Sequence, residues 1–307
     1  MRGAVYVNGT LTAAHDAVVP VYDHGFVYGE GVYETLRTYN GVPFLYDRHA
    51  LRLRKSAGYL ALDVPFDDGW LLARVEDTVK AAASAEREAA AAGTEWYIRI
   101  LLTRGVGELT YDITATPSPS LVIIVKPLDE PPERIAREGI NISLVGVLRN
   151  HPRSVNPIIK SNNLLNNALA MQEAHKRGGE EALMCNYRGE LSECAQSNFF
   201  LVRGGVALTP VSNAGLLEGI TRAFLFEVGR DAGVEVRGET LYPKDLETAD
   251  EAFITSTTRG VSPVVRIDDR IVGSGVPGPV TLTLLAAYDR RARELTRAAA
   301  VRGAALP

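Results

Sequence analysis

The spacing of hydrophobic and polar residues predicts hairpins, helices and two further strands in the first part of the chain. Two Asn-Gly pairs, Asn8-Gly9 and Asn40-Gly41, lie between short runs of β-forming residues, which is the strongest local signal for a β-hairpin. Helical patterns follow over Asp47–Leu60 and over the alanine-rich stretch Asp68–Ala92, which ends at a glycine. Two apolar runs then predict the strands of a small α+β domain: Trp96–Thr103 and Leu121–Lys126.

A charged stretch with two prolines, LDEPPERIAREG, separates this part from the rest and predicts a linker. Beyond it we predict a strand over NISLVGVL, a helix over Asn162–Arg177 and a series of strands joined by glycine turns over Glu181–Pro210. A helix ending at Gly233, a strand over DEAFITSTT and a final helix over Val280–Ala300 follow. The predicted organisation is a small N-terminal domain (1–127), a linker (128–136) and a larger domain (137–307).

Composition excludes several classes of function. A chain of 307 residues with 46% hydrophobic content can bury a substantial core. Its formal net charge of -4 provides no basic field for nucleic acid and no polybasic membrane anchor. Two cysteines without a CxxC pair and five histidines without ligand spacing predict neither a disulfide framework nor a metal site. Because the start of the chain lacks a signal peptide and no apolar run is long enough to span a bilayer, we expect a cytoplasmic enzyme.

One lysine lies where Schiff-base chemistry would be favoured. Lys160 follows Ile158-Ile159, at the predicted junction between an extended apolar stretch and a helix. Apolar walls around a lysine stem disfavour the ammonium form, and the neutral amine is the nucleophile that condenses with a carbonyl. Most lysines are nevertheless solvated surface charges, so both interpretations stay open for this residue alone.

Four other features suit an anionic or aromatic ligand. The helix start at Gly219–Thr221 presents backbone N–H groups and a hydroxyl, which form an anion site without net positive charge. The consecutive hydroxyls of Ser256–Thr258 end a predicted strand, and Arg52 suits bidentate phosphate binding. Glu193 lies among small residues, where a carboxylate could keep a pyridine nitrogen protonated. The alternatives are a plain helix start, a turn, a solvated arginine and a surface acid.

Seven motifs, in order along nearly the whole chain, resemble those of class IV aminotransferases. This family contains branched-chain aminotransferases, D-amino-acid transaminases and aminodeoxychorismate lyases. The motifs are HGFVYGEGVYETLRTYNG, HALRLRKSA, YIRILLTRGVG, IIKSNNLLNNALAMQEA, GELSECAQSNFFLV, LLEGITR and FITSTTRGVSPV. The resemblance implies an α+β fold of type IV, with a small N-terminal α/β domain, a larger C-terminal pseudo-barrel domain and pyridoxal 5'-phosphate in the cleft between them. It also implies a homodimer or a multiple of dimers, with a substrate pocket that crosses the interface.

The resemblance implies a role for each matching residue. Lys160 matches the Schiff-base lysine and proton shuttle, Arg52 the phosphate arginine and Glu193 the acid at the pyridine nitrogen. The remaining matches to the phosphate site are Gly219, Ile220, Thr221, Ser256 and Thr257. The residues expected to contact substrate are Tyr28, Tyr33, Arg37, Tyr97, Arg99 and Thr258.

The sequence is a mosaic with respect to substrate. Tyr97-x-Arg99 and Arg37 resemble branched-chain enzymes, in which arginine receives the distal carboxylate of glutamate or 2-oxoglutarate. The arginine and histidine that D-amino-acid transaminases use further along that loop are replaced by Leu109 and Tyr111. Conversely, Leu165 replaces a tyrosine common in branched-chain enzymes, and the VYE motif leans toward D-amino-acid and (R)-amine enzymes.

We therefore predict ping-pong transamination between an amino acid, of the L-branched-chain type, and 2-oxoglutarate. The alternative is a D-amino-acid or (R)-amine transaminase. A second alternative is an aminodeoxychorismate lyase, which needs no amino acceptor. No metal and no nucleic-acid or membrane partner is expected.

Overall fold

The computed structural model describes residues 1–304, which divide into two compact units. The first unit contains Met1–Asp129, Ile159–Asn163 and the described chain from Leu295 onward. The second contains Glu130–Ile158 and Leu164–Glu294. The domain bounds inferred from the sequence, at 127, 128–136 and 137, stay a prediction.

An antiparallel sheet forms the centre of the first unit. Its strands are β1 (Ala4–Val7), β2 (Thr10–Ala13), β3 (Gly31–Tyr39), β4 (Val42–Pro43), β5 (Trp96–Thr103) and β6 (Ser120–Pro127). They are ordered β2-β1-β6-β5-β3-β4. Both predicted hairpins are confirmed, because Val7 pairs with Thr10 and Tyr39 with Val42. The residues between them, Asn8-Gly9 and Asn40-Gly41, have the positive φ angles that a two-residue hairpin turn requires.

Helices cover one face of this sheet. They are α1 (His24–Val27), α2 (Tyr46–Tyr59), α3 (Asp68–Ala85) and α4 (Arg87–Ala91). The prediction of one continuous helix over Asp68–Ala92 was wrong, since the backbone leaves the helical region at Glu86 (φ -111°, ψ 56°). The Glu86 carboxylate accepts hydrogen bonds from the Gly3 N–H and the Arg2 Nε. These contacts with the start of the chain replace helix continuation.

The two faces of the sheet have different roles because side chains alternate along a strand. Val32 and Leu36 of β3 point into the core with Ile98, and Leu53 of α2 and Val75 of α3 pack there with them. Tyr33 and Arg37, on the opposite face of β3, lie next to the β5 residues Leu101 and Tyr97, and Arg99 lies between these two across from Thr35. This second face carries the predicted substrate residues.

The second unit is built on a mixed sheet. Its strands are β7 (Ile140–Leu144), β8 (Ala182–Cys185), β9 (Leu191–Cys194), β10 (Asn198–Arg203), β11 (Val206–Pro210), β12 (Val236–Glu239), β13 (Glu251–Ser256), β14 (Gly260–Ile267) and β15 (Arg270–Ile271). The order is β12-β11-β10-β13-β14-β7-β8-β9, with β15 beside β14. Apolar side chains such as Phe199, Leu201 and Ile254 form its core.

Four helices accompany this second sheet in the described chain: α5 (Glu133–Glu138), α6 (Leu165–Lys176), α7 (Ile220–Ala232) and α8 (Pro279–Ala304). The stretch predicted as a linker therefore contains the start of a short helix, which begins directly after Pro132. The helix predicted from Asn162 begins three residues later, at Leu165. The helix predicted to end at Gly233 does so, with that glycine in the left-handed conformation.

Two further searches of residues 1–304 concern classes of partner. None of the described helices combines the length and apolar character that crossing a membrane requires. The same residues contain no cluster of three or more histidine, cysteine, aspartate or glutamate side chains suited to a metal ion.

Candidate functional site

Lys160 is held by its backbone between a strand and a helix of the first unit. Its N–H donates to the Ser56 Oγ of α2 at 3.1 Å, and its carbonyl accepts from the Tyr33 N–H of β3 at 2.9 Å. The following residue, Ser161, forms an isolated bridge with Val32. The residues before it are turns rather than the extended stretch that we predicted. Contacts made far away in sequence therefore fix the backbone of this lysine.

Two cations share the ring of Tyr33. The Lys160 Nζ lies 4.3 Å from the ring centroid, and the Arg99 Cζ lies 4.1 Å from it. An aromatic face attracts cations at such distances. The structure thus brings together three of the predicted site residues, with an amine and a guanidinium at one tyrosine.

A buried acid holds Arg52. Glu34 is fully buried, and its carboxylate accepts two hydrogen bonds from Arg52, from Nε and Nη2, each at 2.7 Å. The Nδ1 of His49 lies 2.7 Å from the Glu34 Oε2. Burial alone would raise the pKa of Glu34, but Arg52 and His49 overcome it and lower that pKa to about 2. Burial lowers the pKa of His49, so the neutral ring donates its Nδ1–H to the carboxylate.

The depressed pKa of Glu34 predicts a dependence of stability on pH. A carboxylate that titrates near 2 when folded and near 4.5 when unfolded stabilises the protein above pH 4.5, and this contribution disappears as the pH falls toward 2. We expect the Glu34→Gln variant to lack about 2 kcal/mol of the wild-type loss in unfolding free energy between pH 5 and pH 3. Denaturant unfolding at several pH values measures it.

The control for this experiment is Glu76→Gln, which changes an exposed acid of α3. This variant should keep the pH dependence of the wild-type protein. An equal pH dependence in Glu34→Gln and wild type would contradict the assignment of that low pKa.

The other predicted substrate residues lie in different surroundings. Arg37 is buried, stacks on the Tyr39 ring at 4.1 Å and donates from Nε to the carbonyl of Thr38. Tyr97, its neighbour across the strands, has the Lys126 Nζ 5.7 Å from its ring. Tyr28 instead packs against the rings of His24 and Tyr111, at 4.9 and 5.1 Å. Arg99 and Tyr33 are therefore the predicted substrate residues for which the structure shows a direct link to Lys160.

In the second unit, Glu193 is buried at the end of β9 and paired with an arginine. Its Oε1 accepts from the Arg149 Nε at 2.8 Å, and its Oε2 accepts from the Asn198 Nδ2 at 3.2 Å. Arg149 also donates from Nη1 to the Asn166 Oδ1 at 3.0 Å. The carboxylate is consequently fixed as an anion, with an orientation set by two donors.

The start of α7 lies against the same asparagine. Asn198 donates from Nδ2 to the Leu217 carbonyl at 2.9 Å, and a Cβ at Gly219 would lie 2.0 Å from the Asn198 Oδ1, so the position requires glycine. Within the described chain no side chain caps this helix, and Thr221 in its first turn is buried. Backbone N–H groups at such a helix start attract an anion.

The predicted hydroxyl cluster lies at a hairpin turn next to these groups. Asn198 pairs with Thr255, one residue before Ser256, the last residue of β13. Thr257 and Thr258 lie in the turn that leads to β14, so the strand ends earlier than we predicted. The register thus brings the hydroxyl turn, the start of α7 and Glu193 to one place in the second unit.

Sequence reasoning missed the residues that hold the predicted ones. On α2, His49, Arg52 and Ser56 recur at the spacing of one helix face, so that helical periodicity could have found them. Glu34 lies at an apolar-face position of β3, and a charge there is a signal of a buried partner. Nothing in the local sequence indicates that Arg149 pairs with Glu193, because 44 positions separate them.

Comparison with known proteins decides the family. The model of the family described as amino-transferase class IV matches residues 31–267. The chain belongs to the class IV aminotransferases. It is a transferase that carries out transamination, and the predicted family and type IV fold are confirmed.

Named relatives of this class IV aminotransferase fall into two groups. A Methanocaldococcus jannaschii protein with a provisional branched-chain-amino-acid aminotransferase name is 36% identical over 280 residues, covering 91% of this chain and 93% of its own. The D-alanine aminotransferase of Listeria innocua is 34% identical over 283 residues, covering 91% and 93%. A solved branched-chain amino acid aminotransferase from the organism abbreviated T.th., complexed with N-(5'-phosphopyridoxyl)-L-glutamate, superposes with a TM-score of 0.85 at 27% identity, covering 96% and 95%.

Proposed function

We propose that this aminotransferase uses pyridoxal 5'-phosphate, bound covalently through Lys160, and moves the amino group between an L-branched-chain amino acid and 2-oxoglutarate. The observation that carries the proposal is the placement of the Lys160 amine and the Arg99 guanidinium at one tyrosine ring. An amine that reacts at the substrate Cα and a cation that receives a carboxylate are the two groups that this reaction needs. The solved branched-chain enzyme complexed with a phosphopyridoxyl derivative of L-glutamate supports the cofactor and the dicarboxylic partner.

The described residues fit this cofactor. The uncapped start of α7 at Gly219, Ile220 and Thr221 offers N–H groups to a phosphate, and Ser256 and Thr257 offer hydroxyls. Arg52, held rigidly by Glu34, is the proposed phosphate arginine. Glu193, fixed as an anion, suits a protonated pyridine nitrogen.

Each residue then has a defined task. When bound, pyridoxal phosphate supplies an electron-withdrawing ring that stabilises negative charge at the substrate Cα. The Lys160 Nζ removes the Cα proton and later returns it, as general base and general acid. Glu193 accepts a hydrogen bond from the ring N–H and keeps that nitrogen positive. Two half-reactions with successive substrates give ping-pong kinetics.

Carboxylate recognition falls to residues with available polar groups. The Arg99 guanidinium, with the Tyr33 and Tyr97 rings beside it on the sheet face, is the proposed receptor for the distal carboxylate of glutamate. The backbone of the turn at Thr257–Thr258 is the proposed receptor for the α-carboxylate. Arg37 acts on this face as a buried support, because it already stacks on Tyr39.

A D-amino-acid or (R)-amine transaminase is the second candidate. The Listeria innocua D-alanine aminotransferase, at 34% identity, supports it, as does Leu165, which begins α6 and is exposed. Leu109 and Tyr111 argue against it, since neither side chain can form an ion pair with a carboxylate. The lyase alternative has less support, because Arg99 favours a dicarboxylic acceptor that a lyase does not use.

Half-reactions with single donors test the proposed function. Purified protein loaded with pyridoxal phosphate should change its visible absorption rapidly with L-leucine and L-glutamate, and slowly with D-alanine and (R)-1-phenylethylamine. The Arg99→Gln variant should lose at least about tenfold in rate constant over apparent affinity with L-glutamate while retaining L-leucine, and Arg266→Gln, on an exposed position of β14, should retain both. Conversion by D-alanine alone would overturn the branched-chain assignment.

We also propose that two copies of the chain associate through an apolar patch of the first unit. The patch consists of exposed side chains on two segments: Val18, Val21, Tyr22, Phe26, Val106, Leu109, Tyr111 and Ile113. The segments are joined by the bridge between Asp23 and Val106 and by the His24 N–H, which donates to the Gly105 carbonyl. Contiguous exposed apolar surface of this kind favours burial against a partner. Sedimentation equilibrium should give twice the chain mass, and a monomer at micromolar concentration would contradict it.

A further inference from the structure

Glu181 is a fully buried acid in the second unit that has no part in the proposed chemistry. It lies directly before β8 and is 0% exposed. Its Oε2 accepts from the Ser197 Oγ at 3.0 Å and lies 3.2 Å from the Arg259 Nη1, while its Oε1 accepts from the Ala182 N–H at 3.0 Å. A carboxylate removed from water persists only where such partners compensate for its desolvation.

The two partners of Glu181 belong to two segments with proposed cofactor roles. Ser197 precedes Asn198, whose side chain contacts both Glu193 and the Leu217 carbonyl before α7. Arg259 lies in the turn after β13, where its own N–H donates to the Ser256 Oγ at 3.3 Å. One carboxylate therefore joins the segment that orients Glu193 to the turn that carries the hydroxyls.

Charge distinguishes this link from ordinary packing. Burial raises the pKa of Glu181, and the Arg259 guanidinium opposes that change. Arg259 is 29% exposed, so it can be replaced with little loss of core packing. Without its positive charge, the buried carboxylate would lose its cationic partner, and the turn would lose its attachment to β8.

We propose that Glu181 and Arg259 are a positioning pair, which holds the turn at Ser256–Thr258 so that its hydroxyls meet the phosphate of the cofactor. The proposal rests on the proposed function, since it assigns the turn to the phosphate. Neither residue touches the reacting atoms. Their effect is therefore confined to groups that bind the phosphate, and it is separable from the chemistry at Lys160.

Binding of two probes tests the pair without measuring turnover. Pyridoxal phosphate and pyridoxal, which lacks the phosphate, are titrated into cofactor-free protein, and dissociation constants are obtained from the visible absorption. In Arg259→Gln and Glu181→Gln we expect affinity for pyridoxal phosphate to fall about tenfold or more, and affinity for pyridoxal to change less than about twofold. The double variant should bind pyridoxal phosphate no more weakly than the weaker single variant, because both changes break one link.

The neighbouring surface pair provides a matched control. Glu180 lies 3.6 Å from Arg134, with both side chains about half exposed, so Glu180→Gln and Arg134→Gln should leave both affinities unchanged. Should Glu181→Gln fail to fold, Arg259→Gln and Arg259→Lys decide, and the lysine variant should recover part of the lost affinity. Hydrogen exchange of the amides at 256–260 should be faster in Arg259→Gln than in wild type.

The outcomes separate the two proposals. Equal loss of affinity for both probes, or unchanged affinity for pyridoxal phosphate in Arg259→Gln, would overturn the positioning pair while the wild-type protein still binds cofactor. Failure of the wild-type protein to bind pyridoxal phosphate would overturn the proposed function, and the positioning pair with it.

Discussion

Replacing Lys160 with alanine is expected to lower turnover by about 10⁴-fold or more with every amino donor. The expectation follows from the position of its amine, 4.3 Å from the Tyr33 ring centroid and beside the Arg99 guanidinium that shares this ring. No other lysine in the described chain shares that ring with Arg99. The loss should therefore appear equally with L-leucine, L-glutamate and D-alanine, whichever substrate the wild-type enzyme prefers. Steady-state rates with each donor measure it.

A second readout distinguishes loss of the reactive amine from loss of structure. Borohydride reduction of the loaded wild-type protein should attach a pyridoxyl group to the peptide that contains Lys160, as mass spectrometry of digested protein can show. The control is Lys55→Ala, which removes an exposed lysine of α2 and should retain full activity. An active Lys160→Ala variant, or a pyridoxyl group found on another peptide, would mean that the lysine is misassigned.

Replacing Glu193 with glutamine is expected to lower turnover by about 10²- to 10³-fold. The amide has nearly the shape of the carboxylate but no charge, so it cannot keep a pyridine nitrogen protonated. Arg149, buried beside Glu193 and bonded to its Oε1 at 2.8 Å, would then place an uncompensated positive charge near that nitrogen. The electrostatic effect would thus change sign rather than merely disappear.

The arginine makes the second prediction testable by a double variant. Glu193→Gln combined with Arg149→Gln removes both charges, and we expect it to recover part of the activity that the single variant loses. The control is Glu235→Gln, which alters an exposed acid that forms a surface ion pair with Arg237. If Glu193→Gln kept wild-type turnover, its assignment to the pyridine nitrogen would be wrong.

The two buried acids with sequence-distant arginine partners, Glu34 and Glu193, follow one physical rule. Each carboxylate loses water and is compensated by an arginine and a second donor, which are Arg52 with His49 in one unit and Arg149 with Asn198 in the other. Such a pair fixes the orientation of both partners. In the first unit the arginine is the proposed ligand, and in the second unit the acid is.

Local physics accounts for what the sequence alone determined. Asn8-Gly9 and Asn40-Gly41 predicted their hairpins because the left-handed turn conformation is a property of those residues. The strands β5 and β6 and the glycine that ends α7 followed from apolar periodicity and from the same conformational freedom. Lys160, Arg52, Glu193, Gly219 and the Ser256–Thr258 hydroxyls were found through motifs, and the family that these motifs indicated is the one to which the chain belongs.

Only the tertiary structure decided which groups meet. The helix predicted over Asp68–Ala92 breaks at Glu86 because its carboxylate is bound by the start of the chain, and no local propensity encodes that contact. The pairing of Arg149 with Glu193, of Glu181 with Arg259, and of Lys160 with Tyr33 joins residues 44, 78 and more than a hundred positions apart. Periodicity shows which face of a strand or helix a residue occupies, but the partner across that face depends on sheet order and register, which arise only when the whole chain packs.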